Sequence, residues 1–268
     1  MTLNIILTSE PKGSNPGGKG KTTIYGEEKE IYLKYCNLSH IRHPTSFNAQ
    51  HQPIYEAITF AMAQKFGLVI PDYYVLLNEK RDIHFTFAKG IKKLAEDKPY
   101  YLLSELVQLP INEDPLKVEQ QMRREKIFRD ILLISDISGK KQNFCYFETP
   151  KPHMFYIDLG CSFVDSVGGI LQQRQGKYIE LSKKEYKANN KLIQKYSIMS
   201  RDYQNIFSLT EIIDSIQEIQ IPTLNPCNVR TVKSLLTPEE INEIRDILLA
   251  NISHTLKKHK ESEFLIQN

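Results

Sequence analysis

Residues 17–35 read GGKGKTTIYGEEKEIYLKY, and this stretch decides the fold. Its first half imitates a phosphate-binding P-loop, because glycines precede Lys21 and Thr22. The full P-loop spacing requires glycine where this chain has Asn15, and a P-loop leads into a helix whose N-terminus holds the phosphates. The residues after Thr22 instead form an extended pattern with a turn at Gly26, which is typical of two antiparallel strands. The stretch therefore predicts a glycine-rich loop followed by a β-hairpin.

The glycine-rich loop is predicted to span residues 9–22, after a first strand at 2–7. A loop between antiparallel strands can lie over nucleotide phosphates, because small residues allow close approach and backbone N–H groups point at the anion. The candidates for this contact are Gly17, Gly18 and Gly20. A mobile basic surface loop is the alternative, and the loop alone does not decide between the two.

The chain divides into a strand-rich part, residues 1–108, and a helix-rich part, residues 109–268. In the first part a helix begins at Pro53, and further strands follow at about 72–78, 83–87 and 100–107. The second part is mostly helical apart from two short strands, FCYF and MFYIDL, and its last long helix begins at a capping box, TPEE at 237–240. This order predicts an α+β fold of two lobes, a small antiparallel-sheet lobe and a helical one, with a cleft between them.

The composition excludes several functional classes. Hydrophobic residues make up 41% of the chain and charged residues 25%, which disfavours a disordered chain or a coiled coil. A net charge of +3 is too small to indicate a nucleic-acid partner. No run approaches the roughly 20 apolar residues of a membrane span, and the four scattered cysteines predict neither a metal knuckle nor a disulfide scaffold. We therefore expect a cytoplasmic protein without a direct nucleic-acid partner.

A lysine and a glutamate occupy positions that a phosphate-transfer site of the protein-kinase kind requires. Lys34 lies in an otherwise apolar strand after the glycine-rich loop, and Glu56 lies on the next helix, which has little polar face. A carboxylate on such a helix is expected to need a cation, so the sequence predicts a Lys34–Glu56 ion pair. In kinases this lysine contacts the α- and β-phosphates of the nucleotide. A solvent-facing lysine and a structural glutamate are the alternative.

An asparagine and an aspartate flank the two short strands of the second part. Asn143 directly precedes the first strand, and Asp158 follows the apolar residues of the second and precedes Gly160. Because a hairpin joins the strands, both side-chain oxygens could reach one Mg²⁺, which favours carboxylate and carbonyl oxygen together with water. The alternative for Asp158 is an aspartate that caps a turn.

In these motifs the chain resembles the HipA-like kinases, in particular the small HipA-type family whose members begin with a Ser-Asn-Pro loop. The resemblance covers about residues 10–165, and the order and spacing of the motifs carry it more than any single one. The matching elements are Ser14-Asn15-Pro16, IYLKY at 31–35, EAITFAMAQKFGLVIP at 56–71, QNF at 142–144 and MFYIDLG at 154–160.

The resemblance implies a kinase-related bilobal fold and an ATP- and Mg²⁺-dependent protein kinase acting on serine or threonine. It also implies that the backbone of Glu105 to Val107 receives the adenine between the lobes. Some members of the family are toxins that phosphorylate aminoacyl-tRNA synthetases and pair with a DNA-binding antitoxin. A protein substrate and an antitoxin-like regulator are therefore the partners that the resemblance suggests.

One departure from the family pattern concerns the catalytic aspartate, which normally stands five residues before the asparagine. That position is Ser138 here, and the nearest acidic residue is Asp136, seven before Asn143. Either the loop is two residues longer and Asp136 orients the acceptor hydroxyl, or the base is missing. We favour Asp136. The alternatives are a nucleotide-binding pseudokinase, and a phosphoinositide or small-molecule kinase with the same fold.

Overall fold

The structure of the protein is a computed structural model with a mixed α+β architecture. The described residues form one large sheet, a separate two-stranded hairpin and a small number of helices. None of the helices in the described part of the chain is both long enough and apolar enough to cross a membrane. The structure describes residues 3–10, 16–36, 48–79, 83–91, 97–108, 114–125, 128, 131–132, 143–159, 214–224, 227–246, 248–249, 252 and 255.

Eight strands form one sheet in the order β10-β9-β4-β6-β3-β2-β1-β5, and β7 and β8 form the separate hairpin. Neighbours in the sheet are antiparallel, except for the parallel pairs β1–β5 and β4–β9. The strands are β1 (Leu3–Leu7), β2 (Gly17–Ile24), β3 (Glu27–Lys34), β4 (Tyr73–Leu77), β5 (Ile83–Phe87), β6 (Tyr100–Glu105), β7 (Phe144–Phe147), β8 (His153–Tyr156), β9 (Gln220–Leu224) and β10 (Cys227–Thr231).

Helix α1 (Gln52–Lys65) packs on one face of the sheet, against β4 and β6. It begins next to Pro53, as the sequence predicts, because proline has no N–H to leave unpaired in the first turn. It ends before Gly67, whose φ of +76° is the left-handed conformation that glycine adopts without strain. The N–H groups of Gly67 and Leu68 donate to the carbonyls of Gln64 and Ala63, which is a Schellman motif. Both ends of this helix are therefore fixed by local sequence.

Strands β9 and β10 correct one expectation from the sequence. Residues 109–268 were expected to be helical apart from the short strands of the β7–β8 hairpin, yet residues 220–224 and 227–231 are strands. They extend the sheet built by the first 108 residues, because β9 pairs in parallel with β4 at Val75 and Thr223. The main sheet therefore crosses the predicted boundary at residue 108, and the division into two lobes stays a prediction.

Two further helices follow the strands of the first part. Helix α2 (Pro115–Arg124) precedes the β7–β8 hairpin, and helix α3 covers residues 238–246. The predicted capping box of α3 is confirmed. The N–H of Glu240 donates to Thr237 Oγ1 at 3.3 Å, and the N–H of Thr237 donates to Glu240 Oε2 at 2.9 Å. Two backbone donors at the start of α3 are satisfied in this way.

Candidate functional site

Three charged side chains from separate elements meet at the end of β3, and we call them the lysine cluster: Lys34, Glu56 and Asp158. Lys34 Nζ donates to Glu56 Oε1 at 2.6 Å and to Asp158 Oδ1 at 2.5 Å. The ion pair with Glu56 is the contact that the sequence predicts. The contact with Asp158 is new, since nothing local in the sequence joins residues 124 positions apart.

The alternation of β3 aims Lys34 at helix α1. Lys34 pairs across the sheet with Leu102, which belongs to the apolar core around α1, whereas Leu33 pairs with Leu103 in the core on the opposite face. Glu56 lies in the middle of α1 with its side chain only 2% exposed. The strand and the helix therefore bring the ammonium and the carboxylate together inside the protein.

The β7–β8 hairpin brings Asp158 to the cluster from the other side. The N–H of Tyr156 donates to the carbonyl of Val69, just after α1, at 2.9 Å, and Val69 forms a parallel bridge with Phe155. The hydroxyl of Tyr156 also donates to Glu125, at the end of α2, at 2.5 Å. Asp158 itself has a φ of +57°, a left-handed conformation in which an aspartate is tolerated better than most residues. The hairpin is thus held from two directions.

In the lysine cluster one ammonium contacts two carboxylates, and the pKa values respond to both. Burial acts to lower the pKa of Lys34, but the carboxylates of Glu56 and Asp158 outweigh it and raise that pKa. Burial raises the pKa of Glu56, and Asp158 adds to this effect while Lys34 opposes it. Glu56 Oε2 is buried and has no hydrogen-bond partner in the described part of the chain. The cluster can therefore accept a further positive charge or donor.

Asn143 lies at the mouth of the same hairpin as Asp158. Its carbonyl accepts a hydrogen bond from the N–H of Ile157 at 2.9 Å, so the residues flanking the two strands are neighbours. The side-chain Nδ2 is buried and finds no partner among the residues described. The Asp158 side chain is 42% exposed, so its carboxylate remains accessible to a ligand.

The pair of Asn143 and Asp158 fits a Mg²⁺ site of the open kind. Mg²⁺ is commonly bound by one or two carboxylates together with substrate phosphates and several waters. Within the described stretches, no group of three or more His, Cys, Asp or Glu side chains could hold a metal ion. The side-chain oxygen of Asn143 and the exposed carboxylate of Asp158 are of the ligand type that Mg²⁺ takes, and they would hold it only together with oxygens from a ligand.

The three candidate glycines correct the predicted loop. Gly17, Gly18 and Gly20 lie inside β2, between β1 and β3, and not in a loop that extends to residue 22. A Cβ atom on them would lie 2.0 Å, 2.4 Å and 2.6 Å from the carbonyl oxygens of Leu33, Ser9 and Ile6 respectively. Close approach of neighbouring strands therefore explains these glycines. The contact of these glycines with phosphates stays a prediction.

The described contacts bear on the donors of the predicted adenine segment, Glu105 to Val107. β6 ends at Glu105, whose N–H donates to the carbonyl of Asp72 at 2.8 Å. The N–H of Leu106 donates to the backbone carbonyl of Glu30 at 2.8 Å, and the described residues offer no backbone partner to Val107. The N–H of Val107 is therefore the donor that this segment could offer to a base, and the contact itself stays a prediction.

Sequence reasoning missed Gln52, which lies one helical turn before Glu56 on the same face of α1. Gln52 is buried, and neither its Nε2 nor its Oε1 has a partner within the described parts of the chain. A buried amide without partners is costly. The only feature of the sequence that could have pointed to Gln52 is that it lies four residues before Glu56. Asp136 and Ser138, the two candidates for the catalytic position, lie outside the described residues.

No protein-family model matches the chain, and no curated protein matches it significantly. The resemblance to the HipA-like kinases therefore rests on the residue motifs alone. The geometry adds a separate observation, which is that Lys34, Glu56 and Asp158 come from a strand, a helix and a hairpin and meet at one point.

Proposed function

We propose that the protein is an ATP- and Mg²⁺-dependent phosphotransferase of the HipA-like kinase type, which acts on serine or threonine of a protein substrate. The observation that carries the proposal is the contact of Lys34 with both Glu56 and Asp158. A lysine on a strand, a glutamate on the next helix and an aspartate after a later strand are the parts, in this order, that a kinase uses around its nucleotide.

The energetics of the lysine cluster favour a functional role over a stabilising one. Taking two ions out of water costs several kcal/mol each, and apolar residues of similar volume often stabilise a protein as well or better. The side-chain atoms of Gln52 and Glu56 that have no partner within the described residues add to that cost. Such strain is typical of a site that a ligand completes.

The roles we assign follow from these positions. Lys34 donates to the oxygens of the α- and β-phosphates, and Glu56 holds the ammonium in place. Asp158 and Asn143 would hold Mg²⁺, which would supply positive charge next to the phosphates. The N–H of Val107 donates to the adenine.

In the transfer itself, the bond between the γ-phosphorus and its bridging oxygen breaks, and a bond from the γ-phosphorus to the hydroxyl oxygen of the substrate forms. ADP leaves, and the hydroxyl proton passes to Asp136 or to water. Positioning and neutralisation of charge contribute most of the rate in such a reaction, so a weak base at this position does not prevent it.

Transfer of labelled γ-phosphate from ATP to protein tests the proposal. We expect Asp158→Ala to lower incorporation by about a hundredfold or more, because the charge it supplies acts on the transition state. Asp97→Ala is the matched control, since Asp97 is exposed and outside the cluster. Equal incorporation by the wild type and Asp158→Ala would sink the assignment.

A second candidate, a module that binds nucleotide without transferring phosphate, is favoured by Ser138 at the position of the family's catalytic aspartate. Thermal denaturation with ATP and Mg²⁺, run beside the transfer assay, separates the two. Stabilisation by nucleotide without any transfer favours the module.

A further inference from the structure

Glu240 on α3 contacts the start of α1, far from it in the sequence. Its side chain is buried, and its Oε1 accepts hydrogen bonds from His51 Nδ1 at 2.7 Å and from the hydroxyl of Tyr55. His51 is the residue before α1, and Tyr55 is in its first turn. The contacts therefore join two helices whose residues are 185 and 189 positions apart.

Capping of α3 accounts for only one of the two oxygens of Glu240. Oε2 accepts the N–H of Thr237 and completes the capping box. Oε1 takes no part in that motif and instead bonds Tyr55 in α1 and His51 just before the helix. A capping glutamate needs no such partners, so the second oxygen has a separate role.

The contact with Tyr55 holds one face of the first turn of α1, and the contact with His51 holds the residue just before the helix. Glu56 follows Tyr55 directly and therefore points about 100° further around the helix. With one face held by Glu240, the carboxylate of Glu56 is directed at Lys34, where the ion pair measures 2.6 Å.

We propose that Glu240 is a positioning residue of the phosphotransfer site. Through His51 and Tyr55 it sets the rotation of α1, and through α1 it sets the place of Glu56 and of the Lys34 ammonium. The inference rests on the proposed function for its effect on the reaction, and on the geometry alone for its effect on the helix. Glu240 touches no nucleotide in this scheme.

Tyr55→Phe tests the proposal, with Thr237→Ala as the matched control. Tyr55→Phe keeps the ring and removes the hydroxyl that contacts Glu240, together with the bond that this hydroxyl accepts from the N–H of Asn48. Thr237→Ala removes one half of the capping box but leaves the contacts of Glu240 with α1. We expect Tyr55→Phe to lower kcat about tenfold with the KM for ATP changed less than about threefold, because a displaced lysine is felt most in the transition state. Thr237→Ala should leave both within about twofold.

The conservative variant of Glu240 gives a second readout. Glu240→Gln keeps a side-chain oxygen for the hydrogen bonds, so it should retain several-fold more kcat than Glu240→Ala. If Glu240→Ala does not fold, Tyr55→Phe against Thr237→Ala decides. A fall in kcat that follows the loss of melting temperature equally in Tyr55→Phe and Thr237→Ala would overturn the proposal.

Amide hydrogen exchange of residues 52–58 separates failure of this inference from failure of the proposed function. If the wild type transfers no phosphate, the proposed function is wrong, and amide exchange in α1 still tests whether Glu240 positions the helix. Faster exchange in α1 for Tyr55→Phe and not for Thr237→Ala supports the positioning role. Equal exchange in the two variants contradicts it.

Discussion

Two buried glutamates, Glu56 on helix α1 and Glu240 beside the start of that helix, use their hydrogen-bonding capacity differently. In the lysine cluster, Glu56 bonds Lys34 through one oxygen and leaves the other without a partner within the described residues. At the start of the helix, both oxygens of Glu240 are bonded, by His51, Tyr55 and the N–H of Thr237. One face of the helix therefore has unused bonding capacity, and another is satisfied by the protein itself.

The pKa values of Glu56 and Glu240 shift in opposite directions, in line with this difference in hydrogen bonding. Burial raises the pKa of Glu56, and its lysine only partly offsets the effect. Burial also acts to raise the pKa of Glu240, but the hydrogen bonds from His51, the N–H of Thr237 and Tyr55 outweigh it and lower that pKa. Both side chains are buried, yet their pKa values shift in opposite directions, because both oxygens of Glu240 are bonded whereas Glu56 Oε2 has no partner within the described residues.

The largest expected effect comes from removing the cation of the lysine cluster. Lys34→Met should lower the free energy of unfolding by about 3–5 kcal/mol, because it leaves Glu56 buried without a positive charge. Adding Glu56→Leu should restore most of the loss, since the double variant replaces an ion pair by apolar side chains. Urea denaturation of the single and double variants measures both. A single variant as stable as the wild type would mean that Glu56 is protonated or hydrated there.

A smaller effect should appear as opposite pH dependence of the two glutamates. Glu240 has a lowered pKa, so its contribution to stability is present above the ordinary glutamate value of about 4.3 and is lost as the pH falls through the lower folded value. Glu56 has a raised pKa, so the wild type should lose stability as the pH rises from about 4.3 through the higher folded value.

Urea denaturation between about pH 3 and pH 7, with Glu240→Gln and Glu56→Gln as references, measures these two contributions. Relative to Glu240→Gln, the stability of the wild type should increase with pH. Relative to Glu56→Gln, it should decrease. Slopes of the same sign would show that the two carboxylates do not differ as the contacts indicate.

The smallest effect on stability is expected at Asp158, although the largest effect on activity is expected there. The side chain is 42% exposed, and solvent screens the ion pair with Lys34, so Asp158→Asn should change the free energy of unfolding by less than about 1 kcal/mol. Removing this charge also relieves one cause of the raised pKa of Glu56. Thermal denaturation beside the transfer assay checks the contrast. A large loss of stability would instead place Asp158 among the structural ion pairs.

Features with a local signal were predictable from the sequence. The start of α1 at Pro53 and the capping box at Thr237 each depend on residues a few positions apart, and both are confirmed. The ion pair of Lys34 and Glu56 was predictable for a related reason. A single carboxylate on an otherwise apolar helix needs a cation, and the preceding strand offers one.

Features that depend on distant pairing were not predictable. The glycines of β2 gave the pattern of a loop, because the sequence does not show how closely β1 and β3 approach them. The strands at 220–224 and 227–231 were missed because β9 joins the sheet by pairing with β4, which is far away in the chain, and β10 pairs with β9. The contacts of Lys34 with Asp158 and of Tyr55 with Glu240 have the same origin. Local pattern defined the elements, and only the packed chain showed which of them meet.

The parallel pair of β4 and β9 has a consequence for synthesis of the protein. Val75 emerges from the ribosome about 150 residues before its partner Thr223, an interval of roughly 7 to 30 s at usual rates of translation. During that interval the β4 edge that β9 later covers has no strand beside it. Unpaired edges of this kind recruit other strands. We therefore expect this edge of β4 to be most prone to non-native strand pairing before β9 has been synthesised.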